Sequence, residues 1–466
     1  MDPKVAAAAI TILLYLFAAG EPGQEPGQGP QGAPANPPVS ESTKLEPPQS
    51  TIHPMPGTEP AQQPTHQAPG SVVTVKDPRV RVRGGPGTNY RVVTTIKRGT
   101  PLRVLTSHNS WYQVRLPDGR AGWIASFLVE GGKQQVGGEA RRAGNFEIIG
   151  YYAEDYPGER ASYASLSLSK DMLSGVALFS FKLDASGGVT GEHLSAPFDL
   201  VRSNGITPLA LVHNYSHSAG GFDAGIISSM LRSQARRERA INEIYAILKR
   251  YGYRGVNIDF ENIPPGDREF LTKFMQELAA RLKPGGYLVT MSVPAKWGDS
   301  PASEWIGAFD YYALGRICDK IMIMTYDEHG PFSGPGPVAS ASWVEKVIKY
   351  AITQIPRPKI MMGVPAYGYD WPIGWGGQAR AVSHQQALRI AQSHGIRPLW
   401  HDEAKAPYFR YSSGNSRREV WFENESSIAA KIAIAKKYDL RGIAIWRLGY
   451  EDASYWRALR KSLGLG

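Results

Sequence analysis

The chain has 466 residues, a formal net charge of +10, 42% hydrophobic residues and 20% charged residues. This length exceeds that of one ordinary domain, and the composition is that of a folded soluble protein with a disordered part. The single cysteine, Cys318, excludes a disulfide within the chain and is expected to be a buried packing residue. We therefore expect two domains joined by linkers.

The first 20 residues are typical of a secretory signal peptide. Lys4 precedes an apolar run over residues 5–19, and the small residues Ala18, Ala19 and Gly20 offer a cleavage point. The run is short for a membrane span. We expect residues 1–20 to direct export, with an uncleaved anchor as the alternative.

Residues 21–70 have the composition of a linker. They contain 13 of the 35 prolines, many Gln and Gly residues, and no Phe, Trp or Tyr. Such a segment cannot bury a core, so we expect it to be disordered and to act as an extended tether.

Residues 71–131 consist of short β-rich runs separated by turn signals, as expected for a small all-β barrel. The segment Val80-Arg-Val-Arg-Gly-Gly-Pro-Gly-Thr-Asn-Tyr90, with the later Trp111-Tyr and Gly122-Trp-Ile, resembles a bacterial SH3-like domain. The resemblance implies a cell-wall binding module. Residues 132–144 would be a second linker.

Positive charge is concentrated in this first domain. Residues 71–130 contain ten Lys or Arg against three Asp or Glu, a net charge of +7. A basic exported module suits a polyanionic wall surface, although a solvated basic face without a partner is an equally ordinary interpretation. No nucleic-acid-binding motif accompanies the charge, and we expect no nucleic-acid partner.

From residue 145 onward, apolar strands alternate with amphipathic helices, which predicts a parallel α/β architecture. Eight strands with intervening helices indicate a (β/α)8 TIM barrel. The predicted strands are 146–152, 175–181, 206–213, 255–261, 287–293, 319–326, 359–365 and 442–446.

Three helices have a clear apolar stripe at helical spacing, and we predict them at 226–249, 267–282 and 428–438. A small α+β insertion is expected after the seventh strand, at about 370–423. Within it, the runs from Pro407 and from Glu419 flank a turn and predict a hairpin.

The fourth predicted strand ends in Asn257-Ile-Asp-Phe-Glu261. Side chains alternate along a strand, so Asn257, Asp259 and Glu261 share one face. Polar groups on a buried strand are costly unless they are hydrogen-bonded, and in TIM barrels catalytic groups lie at the carboxyl ends of strands. Asp259 and Glu261 originate roughly 7 Å apart on one side of any sugar, at about 3.3 Å per residue. A glycosidase built on them needs its nucleophile from elsewhere, and an N-acetyl group of the substrate is a candidate.

Gly255-Val-Asn-Ile-Asp-Phe-Glu261 resembles the strand-four signature of glycoside hydrolase family 18, the chitinase-like family. Gly150-Tyr-Tyr152 is similar to its first strand, Met324-Thr-Tyr-Asp327 to its sixth, and Trp446 to the tryptophan ending its eighth. Residues 364–371 and 446–452 resemble the branch of spore germination and cortex-lytic N-acetylglucosaminidases.

The resemblance implies roles for individual residues. Glu261 would protonate the glycosidic oxygen and later activate water, and Asp259 would raise its proton affinity and bond the acetamido group that attacks the anomeric carbon. The remaining residues would hold the substrate: Tyr326 and Asp327 at the acetamido group, Tyr151 and Trp446 around the sugar, and Asn257 and Met324 beside them. No metal or cofactor is implied.

The sequence departs from the family pattern Asp-x-x-Asp-x-Asp-x-Glu at two positions, which hold Arg254 and Asn257. An asparagine cannot take a proton, so the carboxylate relay of the family is weakened here.

Other residues admit less specific interpretations. His213 and His217, with Asp223 nearby, could suggest a metal site, but polar loop contacts are the more ordinary reading of such histidines. Trp371 and Trp375 could stack on sugars or anchor the insertion, and the sequence does not separate these two uses.

The sequence thus predicts an exported, monomeric β-N-acetylglucosaminidase associated with the cell wall or the spore, which cleaves peptidoglycan with retention of configuration. A chitinase, a sugar-binding barrel without turnover and a metal hydrolase are the alternatives.

Overall fold

A computed structural model describes residues 72–131 and 146–465, apart from residues 89, 109, 110, 157, 217, 218 and 375–377. The described residues form two compact units, one on each side of the gap at 132–145. The predicted signal peptide (1–20) and linkers (21–70 and 132–144) lie outside the described residues.

The first unit is a seven-stranded antiparallel sheet around one apolar core. Alternation explains its strands, since Val80 and Val82 are buried while Arg79 and Arg81 on the same strand are exposed. The predicted small all-β domain is confirmed. Its strands are Val72–Val75, Arg79–Arg83, Val92–Lys97, Pro101–His108, Trp111–Arg115, Ala121–Ala125 and Val129–Gly131.

The second unit is a closed barrel of eight parallel strands, which confirms the predicted TIM barrel. Each strand pairs with the next along the chain, and the first pairs with both the second and the eighth. Neither face of such a strand meets water, so its sequence is almost continuously apolar. The barrel strands, first to eighth, are Glu147–Tyr152, Gly175–Leu183, Thr207–His213, Gly255–Asp259, Leu288–Pro294, Lys320–Met324, Ile360–Pro365 and Gly442–Trp446.

Amphipathic helices surround the barrel. In the helix 341–354, Val344, Val347, Ile348 and Ala351 are buried at the spacing of one helical face. Among the described helices, none is long and apolar enough to cross a membrane. The helices of the second unit are Ala161–Ser169, Ser195–Ser203, Ala224–Arg232, Gln234–Tyr251, Arg268–Leu282, Tyr311–Ile317, Ala341–Gln354, His384–Ser393, Glu425–Lys437 and Ala453–Leu463.

The prediction of one continuous helix over 226–249 is wrong. The chain breaks at Ser233, which has extended backbone angles (φ −102°, ψ 121°) and separates two helices. Arg237 bridges the break: its buried guanidinium donates to the carbonyl of Leu231 at 2.7 Å and pairs with Glu277 at 2.8 Å. A carbonyl left open at the end of the first helix is thereby satisfied.

The insertion after the seventh strand contains a five-stranded antiparallel sheet and the helix His384–Ser393. The predicted hairpin is confirmed, with its turn at Gly414 in the left-handed region (φ 57°). Two short antiparallel pairings complete the described strands: Val189–Gly191 extends the second barrel strand, and Tyr215–Ser216 pairs with Gly221–Phe222. The strands of the inserted sheet are Tyr367–Ile373, Arg380–Ser383, Leu399–His401, Ala406–Ser413 and Ser416–Trp421.

Candidate active site

The fourth barrel strand delivers three polar side chains into the barrel. Asn257, Asp259 and Glu261 are 0%, 4% and 2% exposed, while the intervening Ile258 and Phe260 are fully buried in the apolar core. The strand ends at Asp259, so Glu261 lies just beyond the carboxyl end of the strand. That is the place where TIM barrels carry their catalytic groups.

A buried asparagine that the sequence did not single out fixes the backbone of Glu261. Asn214 accepts a hydrogen bond from the Glu261 amide at 3.0 Å and donates to the Glu261 carbonyl at 2.9 Å. The same side chain donates to the carbonyl of Asp223 at 3.2 Å. One carboxamide therefore holds the end of the fourth strand against the loop that follows the third.

The side-chain carboxylate of Glu261, in contrast to its backbone, lacks hydrogen bonds from the described residues. Within the described part of the chain, neither of its oxygens has a hydrogen-bond partner, although both are buried. Burial raises the pKa of Glu261 well above its usual range, and the negative charges of Asp259 and Asp327 raise it further. This carboxyl group is suited to hold a proton near neutral pH and to give it to a ligand.

Asn257 is hydrogen-bonded by the fifth strand rather than by Asp259. Burial raises the pKa of Asp259 to about 7, and the neighbouring Ser292 side chain acts in the opposite direction. Asn257 donates to Thr290 Oγ1 at 3.1 Å and accepts from Ser292 Oγ at 3.0 Å. Ser292 also bonds the Tyr151 hydroxyl at 2.8 Å. Ser292 therefore contacts both Asn257 and Tyr151. It was not predicted, although its position on the polar face of the fifth strand could have indicated it.

The sixth strand contributes a second acidic position. Asp327 has a left-handed backbone (φ 59°), which is rare for a residue with a side chain and marks local strain at the strand end. Its Oδ1 accepts from the hydroxyls of Tyr367 at 2.7 Å and Tyr369 at 3.1 Å, whereas Oδ2 has no partner among the described residues. Burial raises the pKa of Asp327 to about 6 against these two donors.

Tyr326 and Met324 lie beside Asp327, and both are nearly buried. Burial, followed by the charges around it, raises the pKa of Tyr326 well above its usual range, so the phenol keeps its proton. Gly363 on the seventh strand makes room for this ring, because a Cβ there would lie 2.9 Å from Tyr326 Cε1 and 2.4 Å from the Ile323 carbonyl oxygen. The sixth and seventh strands together set the position of Tyr326.

Aromatic side chains form the apolar part of the site. The ring of Trp446, at the end of the eighth strand, lies edge-on to Tyr151 at a centroid distance of 5.4 Å and to Phe179 at 6.0 Å. The indole Nε1 is buried and has no hydrogen-bond partner within the described residues. Trp446 thus contributes a nearly buried apolar ring and one donor without a partner among the described residues. Phe179 was not predicted.

The segment after Trp446 is anchored by a buried arginine. Arg447 follows a cis peptide bond and donates to the Ala153 carbonyl at 2.6 Å, to Ser162 Oγ at 2.7 Å and to Asp155 Oδ2 at 2.5 Å. These partners all come from the loop and helix that follow the first strand. The eighth strand is therefore fastened to the segment that follows Tyr151.

The residues weighed for a metal site have other contacts. His213 Nδ1 accepts from the Tyr215 amide at 3.0 Å, its ring stacks on Phe179 at 4.4 Å, and Asp223 caps a helix by accepting from two backbone amides. Among the described residues, no group of three or more His, Cys, Asp or Glu side chains is arranged to hold a metal. His217 lies outside the described residues.

Trp371 serves as an anchor of the insertion. It is 1% exposed and donates from Nε1 to the Gly330 carbonyl at 3.1 Å, so its ring cannot receive a sugar in this structure. Trp375, weighed with it, lies outside the described residues. Cys318 is buried, as predicted, and burial raises the pKa of its thiol to about 12.

The structure brings the predicted site residues to the same end of the barrel. Four of their polar atoms are buried without a hydrogen-bond partner among the described residues. Within the described part of the chain, both carboxylate oxygens of Glu261, Oδ2 of Asp327 and Nε1 of Trp446 lack hydrogen-bond partners. Such groups are costly in a folded protein unless a bound molecule satisfies them. A polar ring compound with an apolar face fits this set of atoms, and the role of each residue in binding it stays a prediction.

Comparison with known proteins gives a consistent result. The sequence pattern of glycosyl hydrolases family 18 matches residues 214–451, and that of the bacterial SH3 domain matches residues 78–130. The chain is similar to the uncharacterized glycosylase YvbX of Bacillus subtilis (strain 168), with 30% identity over 325 residues that cover 70% of this chain and 93% of that protein.

Two solved structures are similar to the chain. The spore cortex-lytic enzyme SleL of Bacillus megaterium QM B1551 has a TM-score of 0.64 and 26% identity, with coverage of 80% of this chain and 79% of that chain. The chitinase of Chromobacterium violaceum ATCC 12472 has a TM-score of 0.63 and 30% identity, with coverage of 68% of this chain and 99% of that chain.

Proposed function

This chain belongs to glycosyl hydrolase family 18 and is a glycosidase, and from that premise we propose that it cleaves the β-1,4 bond next to N-acetylglucosamine in peptidoglycan. The observation that carries the proposal is the buried, unpartnered carboxylate of Glu261 beside Asp259. A group with a raised pKa keeps its proton until a glycosidic oxygen arrives to accept it.

The nucleophile would come from the substrate. Asp259 ends the fourth strand and Glu261 follows it by two residues, so both would reach the sugar from one side, whereas a protein nucleophile would have to approach from the other. The acetamido carbonyl of N-acetylglucosamine would attack the anomeric carbon as Glu261 protonates the departing oxygen. Glu261 would then take a proton from the water that opens the intermediate, which returns the enzyme to its starting state with the configuration retained.

The surrounding residues would hold the acetamido group and the ring. Asp259, the Tyr326 hydroxyl and the free Oδ2 of Asp327 would position the acetamido group, and Trp446 would cover the apolar face of the sugar. Tyr151, Met324 and Asn257 would complete the wall of the pocket. No step in this sequence draws on a metal or a cofactor.

Peptidoglycan is favoured over chitin by similarity to the spore cortex-lytic enzyme and by the SH3 domain. Chitin is the second candidate, because the chain is also similar to a chitinase over 99% of the length of that protein. The two substrates share the N-acetylglucosamine unit, so the same catalytic groups would serve either of them.

Product analysis tests the proposed function. Digests of spore cortex, vegetative wall and chitin oligomers are reduced with borohydride and examined by mass spectrometry. We expect N-acetylglucosamine at the new reducing ends of the cortex or wall digest. Reduced muramic ends would contradict the proposal, and cleavage of chitin oligomers alone would favour the chitinase.

We also propose that the first domain attaches the exported enzyme to the wall. This small sheet domain has exposed guanidinium groups at Arg79, Arg81 and Arg91. Their positive charge would attract a polyanionic wall surface. The full chain is expected to sediment with purified walls at low salt, and a variant lacking residues 72–131 to remain in the supernatant. Equal sedimentation of the two proteins would contradict this role.

A further inference from the structure

One face of the inserted sheet begins beside the active site, where Tyr369 and Trp371 are buried, and reaches solvent at Arg417. In an antiparallel sheet, directly opposed residues and every second residue along a strand share a face. The pairing registers place nine side chains on this face, which we call the cleft face: Tyr369, Trp371, Ile373, Tyr408, Arg410, Ser412, Arg417, Glu419 and Trp421.

Contacts confirm the assignment of the cleft face. Tyr408 stacks on Trp421 at a centroid distance of 4.6 Å, and Arg410 Nε donates to Glu419 Oε2 at 2.7 Å. The opposite face packs on the helix 384–393 through Phe409 and Val420. The two faces of the inserted sheet are thus chemically distinct.

The inner end of the cleft face contacts Asp327 and the loop after the sixth strand. The Tyr369 hydroxyl donates to Asp327 Oδ1 at 3.1 Å, and Trp371 Nε1 donates to the Gly330 carbonyl at 3.1 Å. From Tyr369, the strand runs outward through Trp371 to Ile373, roughly 13 Å at about 3.3 Å per residue. A glycan that extends from the site along the insertion would cover this distance and reach the outer end.

The outer end is a hollow of about 410 Å³ lined by Ile373, Arg410, Ser412, Arg417 and Glu419, among others. Glu419 is already committed, because its Oε1 accepts from Trp421 Nε1 at 2.7 Å and its Oε2 accepts from Arg410. Arg417 is exposed and has no ion pair or side-chain hydrogen bond within the described part of the chain. The hollow thus carries one unneutralised guanidinium beside a second, 69% exposed one at Arg410.

We propose that this hollow binds carboxylate groups carried by the glycan substrate, with Arg417 as the principal contact. A guanidinium presents paired N–H donors that match the two oxygens of a carboxylate. The inference rests on the proposed function, since peptidoglycan carries carboxyl groups on its stem peptides and, where no peptide is attached, on its lactyl ethers, whereas chitin is neutral. Arg417 is then a specificity-determining residue that favours peptidoglycan over chitin.

The test measures dissociation constants by calorimetry in a Glu261→Gln background, so that ligands stay intact. Three soluble ligands of equal glycan length are compared: glycan with stem peptides, glycan stripped of peptides by an amidase, and an N-acetylglucosamine oligomer. Arg417→Gln should weaken binding of a carboxylated ligand about 3- to 5-fold, as for an exposed ion pair. Arg417→Glu should weaken it more, and added salt should reduce both effects. The neutral oligomer should bind all variants equally.

Arg397→Gln is the matched control, because Arg397 is an exposed arginine of the same insertion that does not line the hollow. Weakened binding of the peptide-bearing ligand alone identifies the stem carboxylates, and weakened binding of the stripped ligand alone identifies the lactyl carboxylate, which the stem peptide otherwise caps as an amide. Weakened binding of both ligands shows that Arg417 contacts a carboxylate from either source. No difference from the Arg397→Gln control, or an equal loss for the neutral oligomer, overturns the inference. Failure of the unmodified enzyme to cleave peptidoglycan would instead refute the proposed function and remove this inference with it.

Discussion

Two glutamates lie beyond the ends of two barrel strands and differ in their hydrogen bonds. Glu451, after the eighth strand, is partly buried and accepts hydrogen bonds at Oε1 from Ser165 and from Trp456 Nε1, and at Oε2 from the Gly449 amide. Glu261, after the fourth strand, is buried and has no partner for either oxygen within the described residues. Loss of solvent raises the pKa of both carboxyl groups, so the direction of the pKa shift alone does not separate them.

The number of hydrogen bonds to the carboxylate distinguishes an acid that stabilises the fold from an acid that is available to a ligand. At Glu451, local donors satisfy the carboxylate and fasten three segments of chain together. At Glu261, Asn214 forms hydrogen bonds with the backbone amide and carbonyl, and the side-chain carboxylate has no hydrogen-bond partner among the described residues. An unsatisfied buried group of this kind costs about 1–3 kcal/mol or more, and such a cost is typical of functional sites.

The largest expected effect on activity is that of Glu261→Gln, which keeps the shape of the side chain but removes the proton that the carboxyl group can donate. We expect kcat on the glycan to fall by about 10³-fold, within the range that general acid catalysis contributes. The melting temperature should not fall, because no described hydrogen bond to the carboxylate is lost. Steady-state kinetics and thermal unfolding of the same preparation measure both quantities.

Glu451→Gln is the matched control for this variant. Its amide group must face donors that the carboxylate accepted, so the free energy of unfolding should fall by about 1–3 kcal/mol. The kcat of the folded protein should stay close to the wild-type value, since Glu451 contacts Ser165, Gly449 and Trp456 rather than the site. The reverse pattern, with Glu261→Gln destabilised and Glu451→Gln inactive, would contradict the comparison.

A smaller effect is expected from Asn257→Asp, which adds a carboxylate to the face that carries Asp259 and Glu261. A further negative charge raises the pKa of a neighbouring acid. Glu261 acts in its protonated form, so the alkaline limb of the pH profile of kcat/KM should move to higher pH, by about half a unit to one unit. The profile is measured at constant ionic strength.

Asn257→Leu tests whether charge is the cause of that shift. This variant removes the hydrogen bonds of Asn257 to Thr290 and from Ser292 without adding charge. Its alkaline limb should not move upward. An unmoved limb in Asn257→Asp, or the same upward shift in Asn257→Leu, would contradict the electrostatic explanation.

Much of the fold could be predicted from the sequence because its signals are local. All eight barrel strands lie where their apolar runs predict them, and the end of the fourth strand lies at the barrel mouth as the alternation indicates. The break at Ser233 was missed, although residues 232–239 contain one apolar residue, Ala235, and so interrupt the apolar stripe. The contacts of Arg237 with Leu231 and Glu277, which accompany the break, are properties of the tertiary structure.

The contacts of the site were less predictable than its location. Ser292 and Asn214 act through partners on other strands, and a single sequence does not show which polar side chains meet across a barrel. Whether Trp371 stacks on sugars or anchors the insertion depends on whether the Gly330 loop covers its ring, and that contact is a property of the tertiary structure. The roles predicted for Glu261 and Asp259 stay predictions, although the structure brings both to the barrel mouth.

The closure of the barrel also sets the order of events during folding. The first strand pairs with the eighth, and Glu147 meets Arg441 across 294 positions of sequence. Such distant contacts form late, because the intervening chain has to be ordered first. Tyr151 and Trp446 lie on these two strands, so we expect their edge-on contact to be completed late, when the first and eighth strands pair.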